Sequence, residues 1–192
     1  MDFKALAEAA RTCRRFYEDQ PLGMADLEWL VGCARVAPCA KNGQELRFML
    51  VGNGETCQKL FAITRWAGAL KDWGGPHPGD RPTGFVVILM PKTGKELTCM
   101  DVGIAAQTIQ LAATSRNWGC CMIQSFDHQA APSLLNVPED MKIALVLGLG
   151  LAKEKRVVAP MPEGGATAYW RDAEGVHYVP KRSLEDLIVA RF

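Results

Sequence analysis

The densest group of chemistry-bearing side chains lies near the amino end, in Arg11-Thr12-Cys13-Arg14-Arg15-Phe16. Guanidinium groups this close repel one another unless water or an anion relieves them. Arg11 and Arg15 are four positions apart, so on a helical turn both would project to one side. A guanidinium offers a rigid, planar fork of donors that matches phosphate oxygens two at a time. Such a fork suits a small anion, but on this stretch alone the plainer reading is a solvated helix end, where cations offset the exposed carbonyls.

Three other features join this cluster: the Pro38–Asn42 turn, the Gln124-Ser125 strand exit and the pair Lys181-Arg182. Alone, Lys181 and Arg182 read as solvated charges. Together with Arg11 they are candidates for one phosphate site built from both ends of the chain. Turns and strand exits leave backbone N–H groups free, which suits a planar ligand with many acceptors. Other motifs fail. Gly148-Leu149-Gly150 follows a strand but lacks the third glycine and the succeeding helix of a dinucleotide fingerprint. There is no Gly-x-Ser-x-Gly elbow and no phosphate-loop lysine. Asp172 and Glu174 near His177 could do acid–base chemistry, although a solvated hairpin is the plainer reading. Asp101 reads as a complement to the dipole of the long helix.

The 192 residues, 48% hydrophobic and 22% charged, describe one globular domain able to bury a substantial core. A formal net charge of +1 without a basic block argues against nucleic acid as partner, so any bound anion is small and held locally. The seven cysteines form no Cys-x-x-Cys pair, and the three histidines lie far apart, so neither a disulfide framework nor a metal site is expected. A reducing cytoplasm fits this thiol content. The longest apolar run, Ile143 to Ala152, is too short to span a bilayer, and the first residues lack a signal peptide's apolar core.

These residues must be positioned by the elements between them. Helix formers fill residues 2–10, and Leu27, Leu30, Val31 and Ala34 mark a helix over 24–36. Buried strands are expected at 48–51, 85–90, 120–123 and 143–148, and a short one at 176–179. Helices are expected at 55–66, 98–118, 128–136 and from Ser183, which caps the last one with Asp186 at the capping-box position. The breaker-rich residues 73–82 form a loop, and 159–165 a link. The 98–118 helix is apolar around much of its circumference, so it is buried deep or pressed against a partner chain. The order gives an α+β fold with helices around a mainly antiparallel sheet.

With Arg11–Phe16 and Ala37–Gln44 in this order, followed by Asp101–Gln107, Asn117–Cys120 and Lys181–Leu187, the chain resembles the nitroreductase family of FMN flavoproteins. The resemblance implies a single nitroreductase-like domain over 1–192, an obligate homodimer with the long helix at its interface, and two FMN sites there. It implies that the C-terminal extension, 159–192, contacts the partner subunit. It places Arg11 on the FMN phosphate with Thr12 and Cys13 beside it, Cys13 standing where many members have serine. Arg15 matches a cation at the N1/O2 side of the flavin ring. Lys181 and Arg182 complete the phosphate site, and Pro38, Cys39, Ala40 and Asn42 form the turn from the other subunit. Met122, Ile123, Gln124 and Ser125 lie along the ring near N5. Glu45-Leu46 replaces the family's Pro-Trp, and the ring-edge asparagine has no counterpart, because 62–72 offers Arg65 and Lys71 instead.

The activity so implied is hydride transfer from NAD(P)H through flavin N5 to nitroaromatic, quinone or related acceptors, with no essential general base. Lacking a separate nicotinamide domain, donor and acceptor would take turns on one flavin face, a ping-pong scheme, with Trp66 or Trp73 and the 73–82 loop shaping that face. Cys13 and Cys39 would make activity sensitive to alkylation. Two alternatives keep FMN: another reductive reaction such as dehalogenation or enone reduction, and a flavin-binding module without turnover. A structural interaction protein with plain surface charges is the reading without it.

Overall fold

The computed structural model describes residues 2–70 and 72–192. Helix α1 (Phe3–Ala9) starts at Asp2, whose side chain accepts from the Ala5 amide at 2.9 Å. Helix α2 (Met24–Arg35) follows, then a single 3₁₀ turn (Ala40–Asn42), strand β1 (Arg47–Val51) and helix α3 (Glu55–Ala62). Strand β2 (Gly84–Pro91) leads to the long helix α4 (Glu96–Ser115). After it come β3 (Trp118–Ile123), α5 (Ala130–Leu135) and β4 (Met141–Leu151). Strands β5 (Arg156–Pro160), β6 (Trp170–Arg171) and β7 (His177–Lys181) and the short helix α6 (Leu184–Leu187) close the chain.

The main sheet has the order β1-β2-β4-β3 and is antiparallel throughout. Strand β2 is central and buried on both sides, which is why it reads as an unbroken apolar run. Its alternation divides the interior in two. Phe85, Val87 and Leu89 face a core with Cys57, Leu60, Trp66, Ala131 and Leu135; Val86, Ile88 and Met90 face Leu27, Leu30, Ala105, Ala106 and Ile109. A bulge between Ile88 and Leu89 lets β4 advance two residues, from Leu145 to Ile143, against one step of β2. The extra residue moves Met141 and Ile143 to the first core while Leu147 and Leu149 stay in the second.

Helix α4 lies against the second core through Val102, Ala105, Ala106, Ile109 and Ala113. Its opposite side leaves Leu97, Met100 and Ile104 exposed, at 49%, 53% and 39%. The α+β reading, the antiparallel sheet and the capped C-terminal helix are as the sequence indicated: Ser183 Oγ accepts from the Asp186 amide, and Asp186 accepts from that of Ser183.

Three local expectations change. The helix expected over 55–66 stops at Ala62, because Thr64 pairs with Phe126 as an isolated bridge. The long helix begins earlier and ends at Ser115, since Asn117 adopts a left-handed φ of 61° that turns the chain into β3. The link expected at 159–165 gives up its start to β5, a short strand flanked by charges that forms only by parallel pairing with the distant β7.

Candidate functional site

The cationic segment is extended, not a helical turn. Helix α1 ends at Ala9, after which the Cys13 amide donates to Cys120 O at 2.9 Å and Phe16 bridges Ala152. Residues 11–16 are thereby sewn across the ends of β3 and β4. The floor is made of glycines: Gly119 and Gly150 pair across these strands, and a Cβ on Gly150 would come within 3.0 Å of Phe16. The glycine pattern at 148–150 is accounted for by packing, Gly148 making room for Trp66 and Gly150 for Phe16.

An extended backbone sends the arginines to different surroundings. The Arg11 guanidinium donates through Nη2 to Ala7 O at 2.7 Å, while its Nε is buried without a partner. Thr12 is half-buried beside it, and Cys13 is fully buried with its thiol toward Arg15 O at 3.2 Å. Burial raises the Cys13 thiol's pKa although Arg156 opposes this, so the expected alkylation sensitivity falls away here. Cys39, in contrast, is partly exposed.

Arg14 turns into a buried polar network. Glu154, its side chain fully buried, accepts from the Arg14 amide at 2.9 Å and from Arg171 Nε at 2.8 Å. The Arg14 guanidinium stacks 4.4 Å over Tyr169 and donates through Nη1 to His177 Nε2 at 3.2 Å. Since arginine can only donate, the imidazole proton sits on Nδ1, which is buried without a partner. Desolvation pushes the His177 pKa down to about 4, with Glu154 opposing and Arg14, Arg171 and Arg156 reinforcing the fall. Asp172 and Glu174 form a hairpin turn, Asp172 accepting from the Glu174 and Val176 amides. No acid–base pair forms with the inward-facing His177.

Arg15 donates through Nε to Asp80 Oδ2 at 2.7 Å, and Lys153 Nζ donates to Oδ1 at 2.7 Å. Close by, Arg171 stacks 4.1 Å over Trp73, and the Ala69 amide reaches Tyr169 Oη at 3.5 Å. The 66–80 region and the C-terminal hairpin therefore meet beside Arg15. Lys71 lies outside the described residues; Arg65 is exposed, with its amide on Ser125 O at 2.8 Å.

Of the strand-exit residues, Met122 and Ile123 stay paired in β3 while Gln124 and Ser125 leave it exposed. In the other turn, Pro38 and Cys39 precede Ala40, whose amide donates to Asp101 Oδ1 at 2.9 Å. Asp101 is thus buried inside α4 as an anchor for this turn, and the dipole reading is corrected. Lys41 and Asn42 both adopt a φ of 53°. A cavity of about 480 Å³ runs between this turn, α2 and α4, lined by Pro38, Cys39, Asn42, Asp101 and Ile104 among others.

Lys181 and Arg182 are exposed, at the end of β7 and just past it. The cation beside Arg11 is Arg156, whose Nη1 donates to Arg11 O at 3.5 Å. Lys181 pairs with Pro160, four residues along β5 from Arg156, or roughly 13 Å at 3.3 Å per residue. Arg156, Asp80, Lys153 and Glu154 escaped the sequence reading, because each looks like a solvated charge until its distant partner is known. Among the described residues no group of three or more His, Cys, Asp or Glu side chains could hold a metal, and no helix is long and apolar enough to cross a membrane.

Comparisons with known proteins bear on the fold and the family. An Archaeoglobus fulgidus protein named as an NADH dehydrogenase or NAD(P)H nitroreductase is 25% identical over 149 residues, 74% of this chain and 81% of its own. The iodotyrosine deiodinase of Thermotoga neapolitana is 22% identical over 174 residues, 82% of this chain and 92% of its own. A Desulfovibrio desulfuricans protein described as a nitroreductase, solved in complex with FMN, superimposes with a TM-score of 0.69 at 18% identity, covering 98% of this chain and 96% of that one. The sequence pattern of the nitroreductase family matches residues 7–151, from the end of α1 to the last residue of β4. The cationic segment, the long helix and the whole main sheet lie inside that match, and the protein belongs to the nitroreductase family.

Proposed function

We propose that the protein is an FMN-dependent oxidoreductase that takes hydride from NAD(P)H and delivers it to nitroaromatic, quinone or related acceptors. The observation that carries this reading is the buried, unpartnered Nε of Arg11, a donor in want of an acceptor on a segment held open by β3 and β4. A guanidinium so placed fits a phosphate. When bound, FMN supplies the hydride-accepting and hydride-donating atom, N5. The chain's own residues bind and tune it. Arg11 holds the phosphate with Thr12 and Cys13 beside it, and Cys13 contributes backbone because its thiol is turned inward. Arg15 sets a positive charge at the N1/O2 edge, and Met122, Ile123, Gln124 and Ser125 lie along the ring. Within the described site no side chain is placed as a general base.

The assembly in this reading is a homodimer. The exposed stripe Leu97, Met100 and Ile104 on α4 is the apolar face that a second copy covers. Pro38, Cys39, Ala40 and Asn42 then approach the partner's flavin, and Lys181 and Arg182 complete the phosphate site across the dimer. Leu184, Leu187, Val189 and Phe192, all exposed, give the C-terminal extension apolar anchors for that contact. The likeness to the deiodinase of T. neapolitana favours a second reading, reductive dehalogenation on the same cofactor.

The test is the absorption spectrum of the purified protein before and after anaerobic NADH or NADPH. A flavin spectrum that bleaches on addition is expected, and a halogenated phenol against a nitroaromatic as reoxidant separates the two reactions. A colourless protein that takes up no added FMN defeats the proposal.

A further inference from the structure

Asp80 belongs to the breaker-rich loop after Trp73, yet it is buried and fully engaged. Both carboxylate oxygens are used, one by Arg15 Nε and the other by Lys153 Nζ, each at 2.7 Å. Its carbonyl accepts from the Phe16 amide at 3.0 Å, and the Lys153 amide donates to Arg15 O at 3.0 Å. Main chain and side chain thus tie the loop, the cationic segment and the residue two past β4 into one unit.

The manner of this engagement matters. A surface carboxylate commonly grips arginine through two parallel nitrogens. Here Asp80 takes Nε, and among the described residues neither terminal nitrogen of Arg15 has a hydrogen-bond partner. One of them, Nη1, lies 3.4 Å from where a Cβ on Gly175 would stand. The side chain is one-third exposed while Asp80 behind it is 12% exposed. The arrangement fixes the guanidinium from the rear and leaves its outer edge uncommitted.

Resting on the FMN reading above, we infer that Asp80 is a positioning residue that holds Arg15 with its two terminal nitrogens toward the flavin N1/O2 edge, Lys153 steadying Asp80 in turn. An unheld arginine gives up rotamer freedom to adopt one orientation. Asp80 removes that loss in advance. The carboxylate is itself an anion and would by charge alone disfavour a reduced flavin, but Lys153 offsets it at contact distance. Burial works against ionisation of Asp80, yet hydrogen bonds from Lys153 and Arg15 and their charges carry its pKa below the ordinary value. The anchor is therefore present at neutral pH.

The experiment measures the two-electron midpoint potential of bound FMN by equilibration with a redox dye. It compares wild type, Arg15→Ala, Asp80→Ala, Lys153→Met and the Arg15→Ala/Asp80→Ala pair. Arg15→Ala should lose about tenfold in preference for reduced over oxidised flavin, a fall of about 30 mV for a two-electron couple. Asp80→Ala should lose most of the same amount, and nothing more in the Arg15→Ala background, because the two act as one unit. Lys153→Met should fall less, in the same direction. Should Asp80→Ala fail to fold, Asp80→Asn keeps one acceptor for Arg15 and should fall part of the way. A potential at or above the wild-type value in the Asp80 variants, with Arg15→Ala shifted, overturns the role of Asp80 alone. An unshifted Arg15→Ala overturns the placement of Arg15 in the FMN reading, and this inference with it.

Discussion

Gly119 lies so close beneath Cys13 that a Cβ on it would stand 2.5 Å from the Cys13 Sγ and 2.7 Å from its Cβ. Nothing larger than glycine fits while residues 11–16 rest on β3. This contact, with the Gly150–Phe16 contact beside it, gives the cationic segment its extended form and hence the separate destinations of Arg11, Arg14 and Arg15.

Gly119→Ala should therefore destabilise the protein by about 2 kcal/mol through overpacking. It should also weaken FMN binding, because the segment must lift. Urea unfolding followed by circular dichroism checks the first effect and flavin fluorescence the second. A variant with the wild-type midpoint and wild-type affinity would show that the segment is not pinned at this point.

Arg11→Ala should lose FMN rather than merely slow turnover. A charge-assisted phosphate contact contributes about 1.5–3 kcal/mol, so affinity should drop by roughly ten- to a hundredfold. Titration of the apoprotein with FMN measures it. If the variant purifies fully loaded, Arg11 is not on the phosphate.

Stability should fall on acidification because of His177. Its folded pKa of about 4 lies below the ordinary 6.5, so the unfolded chain binds the proton first. The stabilisation is complete above pH 6.5 and is lost progressively as pH drops toward 4, to a total on the order of 3 kcal/mol. Unfolding midpoints between pH 7.5 and 4 should show this slope, and His177→Gln should flatten it. An unchanged slope in that variant would assign the acid sensitivity elsewhere.

Ile104→Glu places a charge in the middle of the exposed α4 stripe formed with Leu97 and Met100. It should convert a dimer to a monomer on size-exclusion chromatography with light scattering, with loss of bound FMN. The helix itself should survive, because Ile104 is already 39% exposed and glutamate is a good helix former. A variant that remains dimeric removes α4 from the interface.

By itself the sequence determined what is encoded within a few residues. The unbroken apolar run of β2, the long apolar α4, the breakers after Trp73 and the Ser183–Asp186 cap are local signals, and the structure contains each of them. The order of elements and the family pattern they carry were legible for the same reason. Only the tertiary structure decided where the charges go. Arg14 meets His177 across 163 positions, Arg15 meets Asp80 across 65, and Asp101 reaches the amide of Ala40 across 61. No periodicity or propensity encodes such a partner, because a carboxylate in a turn or a strand end looks solvated until a second segment buries it. The extended form of Arg11–Phe16 was hidden in the same way, resting on two glycines more than a hundred residues downstream of Arg11.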